Sequence, residues 1–293
     1  MTQIFTVLNT PFRGNDTLDL EGLAANVAYA INAGVAGFLI PGLASEVSHL
    51  SAQECDALIK TVTRSAPGYT VIGGLGTPQG EQFKDTARRY LDLGCHGLLV
   101  NGHGQTESDL LRILEALDRL SPDFLMLQDW DATGSGIPVP TLKRLVAEVP
   151  SLSWLKIEVI PAGPKYSELL TDAPEKLRVA GGWAVMQMIE ALDRGVHAIM
   201  PTGLHRTYVR IASLHAAGRR DESRALFARL VPILAFSNQS LAISVAFFKR
   251  LLRAQSIYST PRVRMEGAHL DAAQEHIAAE LIHLAIDLES ECA

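Results

Sequence analysis

Short apolar stretches return along the chain with starts 20 to 33 residues apart: IFTVLN (4–9), GFLIPG (37–42), YTVIGGL (69–75), GLLVNG (97–102), FLMLQD (124–129), LSWLKIE (152–158), LRVAGG (177–182) and HAIMPTG (197–203). Near-continuous apolar runs of this length read as strands buried on both faces. The interval between them holds one strand, one crossover helix and two loops.

Helical patterns fill the gaps. LDLEGLAANVAYAINAG (18–34) has apolar residues at helical spacing and stops at Gly34. SAQECDALIKTVTRSAPG (51–68) opens with Ser51 and Glu54 in a capping-box arrangement. GEQFKDTARRYLDLG (80–94), ESDLLRILEALDRL (107–120), PTLKRLVAEV (140–149) and RTYVRIASLHAAG (206–218) repeat the theme. Eight β-then-α units predict an α/β fold, a (β/α)8 TIM barrel, with a doubly wound open sheet as the competing arrangement. From residue 219 onward two or three further helices follow with no strands between them. The expected organisation is a barrel over residues 1–218 and a helical subdomain over 219–293, packed on the barrel because no Gly/Ser linker separates them.

Composition narrows the class. The chain has 293 residues, is 47% hydrophobic and 20% charged, and carries a net charge of −6. Its charges are interspersed, without the basic stripe that nucleic acid or an acidic membrane surface would need. The longest apolar run, LAISVAFF (241–248), is far short of a membrane span. Cys55, Cys95 and Cys292 show no ligand-like spacing and suit a reducing compartment. The opening MTQIFTVLNTPF has neither a basic lead nor a cleavage site, so the expected location is cytoplasmic.

Lys156 stands out because it lies inside an apolar strand. Side chains alternate along a strand, so Trp154, Lys156 and Glu158 share one face and Leu155, Ile157 and Val159 the other. An unpaired buried ammonium is costly. Either Lys156 pairs with Glu158 or Asp129 to hold strands together, or it serves as an amine nucleophile that forms a Schiff base with a 2-oxo group. Barrel enzymes place their chemistry at the C-terminal strand ends. Those ends carry Asn9-Thr10, the 41–46 loop, Gly73–Gly76, Asn101-Gly102-His103, Gln128-Asp129, Lys156 with Glu158, Gly181-Gly182 and Pro201-Thr202-Gly203. His49, His197, His215, His269, His276 and His283 read as surface or helix-face residues, and the histidines show no metal-ligand pattern. The GGLG run (73–76) reads as turn geometry rather than a phosphate cradle. Trp130 and Trp183 could line a pocket or plug the barrel mouth.

Several motifs, in order, are similar to the dihydrodipicolinate synthase / N-acetylneuraminate lyase family of Schiff-base aldolases, lyases and dehydratases. They are TPF (10–12), AGVAGFLIPGLASEVSHLSAQE (33–54), GLGTPQGEQFKDTARRYLDLGCHGLLV (74–100), LKIE (155–158) and ALDRGVHAIMPTGLHRTYVRIASLHAAGRRDESRALFARLVPIL (191–234). The resemblance implies a TIM barrel with a helical C-terminal extension, a homotetramer, no cofactor or metal beyond the covalent lysine adduct, and Lys156 as the Schiff-base former. It also exposes departures. The family's GTTGE loop reads Gly42-Leu43-Ala44-Ser45-Glu46 here, without the threonines that bind the substrate carboxylate and relay protons. The strand-five tyrosine is replaced by Gln128 and the tyrosine pair after strand four by Gly102-His103. An amide does not exchange protons near pH 7, so another group must carry them.

The expected catalytic set is Lys156, Gln128, Glu158 and Asp129. The expected substrate-binding set is Ala44, Ser45, Glu46, His103, Gly182, Thr202, Gly203 and His205. Glu46, His103, Asp129, Glu158 and His205 are the candidate proton carriers; Ser45 could replace part of the lost hydroxyl pair, and Gln128 with Thr202 could hold a carboxylate. The expected activity is dehydration or aldol cleavage of a small 2-oxo acid or deoxy sugar acid. The alternative is a barrel that binds a small carboxylate without turning it over.

Overall fold

The computed structural model describes residues 1–182 and 186–293. Eight parallel strands close into a barrel in sequence order: β1 (Gln3–Val7), β2 (Gly37–Leu39), β3 (Thr70–Gly74), β4 (Gly97–Asn101), β5 (Phe124–Trp130), β6 (Leu152–Glu158), β7 (Arg178–Gly181) and β8 (Ala198–Ile199). β8 returns to β1 through the Gln3–Ala198 and Ile4–Ile199 pairs, which excludes the open sheet. Alternation sorts the strand residues into two cores. Phe5, Val7, Leu39, Ile72, Leu99, Met126, Ala180, Ala198 and Met200 fill the lumen. Leu125, Leu127, Leu155, Ile157 and Val179 face the helical layer. A Cβ on Gly97 would come within 2.3 Å of the Phe124 ring, so this glycine makes room for an aromatic plug near the barrel floor.

The helices between strands are α1 (Leu20–Ala33), α2 (Ala52–Ser65), α3 (Phe83–Asp92), α4 (Glu107–Asp118), α5 (Val139–Glu148), α6 (Ala162–Leu170) and α7 (Met188–Asp193). α1 ends where Gly34 takes a left-handed conformation, φ 91°. α2 starts on a reciprocal cap: Ser51 Oγ accepts from the Glu54 amide at 3.2 Å, and Glu54 Oε2 accepts from the Ser51 amide at 2.9 Å. α6 and α7 were not distinguished by pattern. They have nine and six residues, too few to display a helical period, and α6 contains a glycine and a proline.

After α8 (His205–Ala216) the chain turns at Gly218 into α9 (Arg220–Ser237), α10 (Leu241–Ala254) and α11 (Ala272–Glu291). Buried Glu289 of α11 accepts from the Thr207 amide at 2.8 Å and the Thr207 hydroxyl at 2.7 Å, and from the Tyr29 hydroxyl of α1. This carboxylate, set by α11 against the first turn of α8, complements the positive end of that helix. No helix among the described residues is long and apolar enough to cross a membrane.

Candidate active site

β5 and β6 lie side by side with Gln128 directly opposite Lys156, so both side chains enter the lumen at the C-terminal end of the barrel. Lys156 is buried, 5% exposed, and its Nζ stands 3.1 Å from Glu158 Oε2. The Gln128 side-chain amide donates to the same oxygen. Two donors from neighbouring strands therefore fix one carboxylate oxygen. From the other side Gly182 leaves the pair its space: a Cβ there would lie 1.8 Å from Glu158 Oε1 and 2.7 Å from Lys156 Cε.

A cavity of about 360 Å³ opens above this pair. Its walls include Val7, Leu39, Leu99 and Trp130 from the strands, Pro41 to Ala44 and Val47 from the loop after β2, and Met200 and Thr202 after β8. Lys156 and Glu158 are the charged residues among its described lining. Lys156 is thus both paired with a carboxylate and open to a cavity.

The loop after β2 is shaped from below. Asn9 Nδ2 donates to the Ala44 carbonyl at 2.7 Å and Thr10 Oγ1 to the Ser45 carbonyl at 2.7 Å. These bonds hold the short 3-10 turn Leu43–Ser45 against the end of β1.

Of the expected site residues, Lys156, Gln128, Glu158, Ala44, Gly182 and Thr202 line this cavity. The other six lie elsewhere, each for a visible reason. Asp129 follows Gln128 on the strand and faces outward. It is ion-paired with Lys165 of α6 and accepts from the Ile137 amide at 2.8 Å. Burial pushes its carboxyl above the ordinary range, opposed by the bond from Lys165. Ser45 turns its hydroxyl inward, donating to the Leu8 carbonyl at 2.6 Å and accepting from the Gly42 amide at 2.9 Å. It closes the turn and does not replace a lost threonine in the cavity wall.

Glu46 is fully buried against Lys249 of α10, and its second oxygen accepts from the amides of Arg264 and Met265 at 2.6 and 2.7 Å. His103 lies in a separate cleft between the loops after β4 and β5, with Nδ1 3.0 Å from the Trp130 carbonyl. Gly203 packs beneath Phe248, whose ring a Cβ would meet at 2.8 Å. His205 is buried in the helical layer, Nε2 3.4 Å from Asn26 Oδ1. Burial takes its imidazole down to about 4, which leaves it neutral at pH 7. Trp130 lines the cavity; Trp183 falls outside the described residues.

Sequence reasoning missed the far wall. Leu234, Asn238, Gln239, Ser240, Leu241, Ser244 and Phe248, at the corner between α9 and α10, face the cavity. The local signal was Asn-Gln-Ser interrupting a long apolar helical run, with Ser240 as the cap of α10, its Oγ accepting from the Ile243 amide at 3.2 Å. Among the described residues no group of three or more His, Cys, Asp or Glu side chains is placed to hold a metal ion.

Residues 1–102 match the model of the dihydrodipicolinate synthetase family. Over 290 residues the chain is 26% identical to L-2-keto-3-deoxyarabonate dehydratase of Azospirillum brasilense, covering 94% of this chain and 92% of the relative. It is 25% identical to 4-hydroxy-tetrahydrodipicolinate synthase of Xanthomonas campestris pv. campestris, covering 97% and 96%. Among solved structures, a putative dihydrodipicolinate synthetase from Pseudomonas aeruginosa superposes with a TM-score of 0.87 at 18% identity, covering 97% of this chain and 99% of the other. Dihydrodipicolinate synthase from Rhodopseudomonas palustris gives 0.85 at 20%, covering 98% and 97%. With the motifs in order along the chain, the barrel closed and a lysine on strand six open to its mouth, the chain resembles the dihydrodipicolinate synthetase family, whose model matches its first 102 residues, and it shares the fold of the solved structures it superposes on.

Proposed function

We propose that the chain is a class I lyase that condenses Lys156 with the ketone of a small 2-oxo acid and eliminates water from the adduct. The observation that carries this reading is Lys156 itself, buried in the lumen, 3.1 Å from Glu158 and facing a cavity. An amine must be neutral to attack a carbonyl, and a carboxylate at hydrogen-bond distance can take its proton. The amine adds to the carbonyl carbon, the carbinolamine hydroxyl leaves as water on taking the proton back from Glu158, and a protonated Schiff base and the Glu158 carboxylate remain. Glu158 then removes a proton from the adjacent carbon, giving the enamine. The enamine electrons expel hydroxide from the next carbon along, which leaves as water on taking up the proton held by Glu158. Hydrolysis of the imine releases product and restores Lys156.

Gln128 orients Glu158 through its amide and carries no proton in this scheme. The backbone amides of Leu43 and Ala44, at the start of a 3-10 turn and so without partners within it, remain to meet the substrate carboxylate in place of the lost threonine hydroxyls. Dehydration is favoured over aldol cleavage because one carboxylate suffices for it, and Glu158 is the carboxylate in the described cavity wall. The 26% identity to a relative named as a keto-deoxyarabonate dehydratase supports the same class. A homotetramer in the cytoplasm, with no cofactor beyond the lysine adduct, completes the proposal on the family's pattern; light scattering of the purified protein checks the assembly.

The test is borohydride reduction in the presence of pyruvate and a panel of 2-oxo acids, read by intact mass and peptide mapping. An adduct on Lys156, lost in Lys156→Ala, is expected, with a product one water lighter than substrate in the unreduced reaction. Folded protein that forms no adduct across the panel would overturn the reading in favour of a non-catalytic binder.

A further inference from the structure

We infer that Asn101 is a further catalytic residue, whose side-chain amide donates to the hydroxyl that leaves during dehydration. The inference rests on the Schiff-base reading above and adds the group that meets the departing oxygen. Asn101 ends β4, where it shares the lumen face with Leu99, and it lines the cavity. It pairs across to Gln128 on β5, which pairs in turn with Lys156 on β6, so the three side chains form one row on neighbouring strands.

The residue is pinned and the direction of its amide is set. Its backbone N–H donates to the Gly76 carbonyl at 2.8 Å, and the following Gly102 N–H donates to the Gln128 carbonyl at 2.9 Å. Oδ1 accepts from the His103 backbone amide at 2.9 Å. That N–H needs an acceptor, so the bond fixes which end of the side-chain amide is the oxygen. Nδ2 then has no hydrogen-bond partner among the described residues, and it is not sealed off. The polar side-chain atoms there that lack both surface and partner belong to Asn9, Ser151, Arg194, His205, Ser237 and Asn238. A donor is therefore held at the cavity wall, available to a ligand.

The order of the strands matches the order of the carbons. Lys156 on β6 bonds carbon 2. Glu158 Oε2, the oxygen that faces Lys156 Nζ, is drawn toward β5 by Gln128, while Oε1 is turned against Gly182 after β7. The carbon that yields its proton to Oε2 thus lies on the β5 side of the amine, and the next carbon, which carries the hydroxyl, lies toward β4. Two strand spacings, about 10 Å, separate the Asn101 and Lys156 backbones. A lysine side chain and three substrate carbons span that gap. The other hydroxyls of the cavity, on Thr202, Tyr208, Ser240 and Ser244, come from the end of β8 onward, across the amine from β5. When the C–O bond breaks, its electron pair goes to the oxygen, which takes the proton held by Glu158 and leaves as water. Asn101 keeps its own protons and stabilises the charge that gathers on that oxygen.

The experiment gives the full-length protein 4-hydroxy-2-oxopentanoate or 2-oxopentanoate, traps adducts on Lys156 with borohydride at successive times, and weighs them. With the hydroxylated acid, wild-type protein is expected to pass from an adduct that keeps its oxygen to one lighter by a water. In Asn101→Ala that conversion is expected to slow by about 100-fold, with adduct formation from 2-oxopentanoate unchanged. Asn101→Asp keeps the acceptor for His103 but loses the donor, and is expected to slow the conversion too. An unchanged conversion rate in either folded variant overturns the inference. So does an equal loss of adduct from both acids, which would make Asn101 a support of the site as a whole. If neither variant folds, the wild-type protein still decides. The hydroxylated acid is expected to half-saturate trapping at about 5-fold lower concentration than 2-oxopentanoate, and equal half-saturation overturns the inference while the Schiff-base reading stands. Wild-type protein that forms no adduct, or whose hydroxylated adduct never loses water, instead removes the reading beneath it.

Discussion

At Gly182 a single methyl group decides whether the lysine and its carboxylate can share the lumen. A Cβ there would overlap Glu158 Oε1 at 1.8 Å and crowd Lys156 Cε at 2.7 Å. Both contacts are with side-chain atoms, so the side chains rather than the barrel would yield. Gly182→Ala is expected to fold and to lower kcat by about 100-fold with a smaller change in KM, the scale set by displacing a reacting group by about an ångström. Steady-state kinetics beside a circular dichroism spectrum checks this, and an unchanged kcat would show that Glu158 is not the group whose placement matters. At this scale the sequence was informative where alternation governs: Trp154, Lys156 and Glu158 do share the lumen face of β6. It was misleading at Ser45 and Glu46, which lie in the expected loop after β2 but point their side chains into the protein, because alternation does not govern a tight turn.

Among the elements, the loop after β2 is bound to the C-terminal helices by one buried ion pair. Lys249 and Glu46 are both 0% exposed, and Lys249 Nζ also donates to the Arg262 carbonyl at 2.8 Å. Lys249 lies 4.3 Å from the Phe12 ring centroid, and the Arg264 guanidinium lies 4.2 Å from it. Burial takes the Lys249 ammonium down to about 8, against the opposing pull of Glu46. Removing one member of such a pair strands the other without compensation. Lys249→Met is expected to cost about 3–5 kcal/mol, and Glu46→Gln added to it should restore a good part of that. Urea unfolding of the single and double variants measures both; additive losses would show that the two side chains are not coupled. The same linkage carries the α9–α10 corner to the cavity mouth, so a change at Lys249 should reach the cavity as well as stability.

The whole molecule carries a pH dependence that follows from His205. Its ring joins a buried polar chain: Nε2 to Asn26 at 3.4 Å, Asn26 to the Tyr258 hydroxyl at 3.1 Å, and that hydroxyl to the Asn9 carbonyl at 2.8 Å. Burial holds the folded imidazole at about 4, whereas the free side chain titrates near 6.5. Between those values only the unfolded chain takes up the proton. The stability is therefore complete above pH 6.5 and falls as the pH drops toward 4. At pH 5 the loss from this group is about 2 kcal/mol relative to pH 7. His205→Asn should remove that increment from the difference between denaturation curves at the two pH values; an identical difference in both proteins would refute the assignment. The sequence by itself determined the eight β-then-α units and the shared strand face of Trp154, Lys156 and Glu158, because period-two and helical patterns are local; that the strands close into a barrel rather than an open sheet was decided by the pairing of β8 with β1. The sequence did not reveal α6 and α7, which are too short to show a period. Only the tertiary structure decided which strand-end residues reach the cavity. Asp129 and Glu46 meet lysines 36 and 203 positions away in sequence, and His205 meets Asn26 179 away. A strand end fixes only where a side chain starts. Whether it turns to the lumen, a neighbouring loop or the helical layer depends on partners that folding brings to it, and the wall that faces Lys156 from α9 and α10 is assembled in the same way.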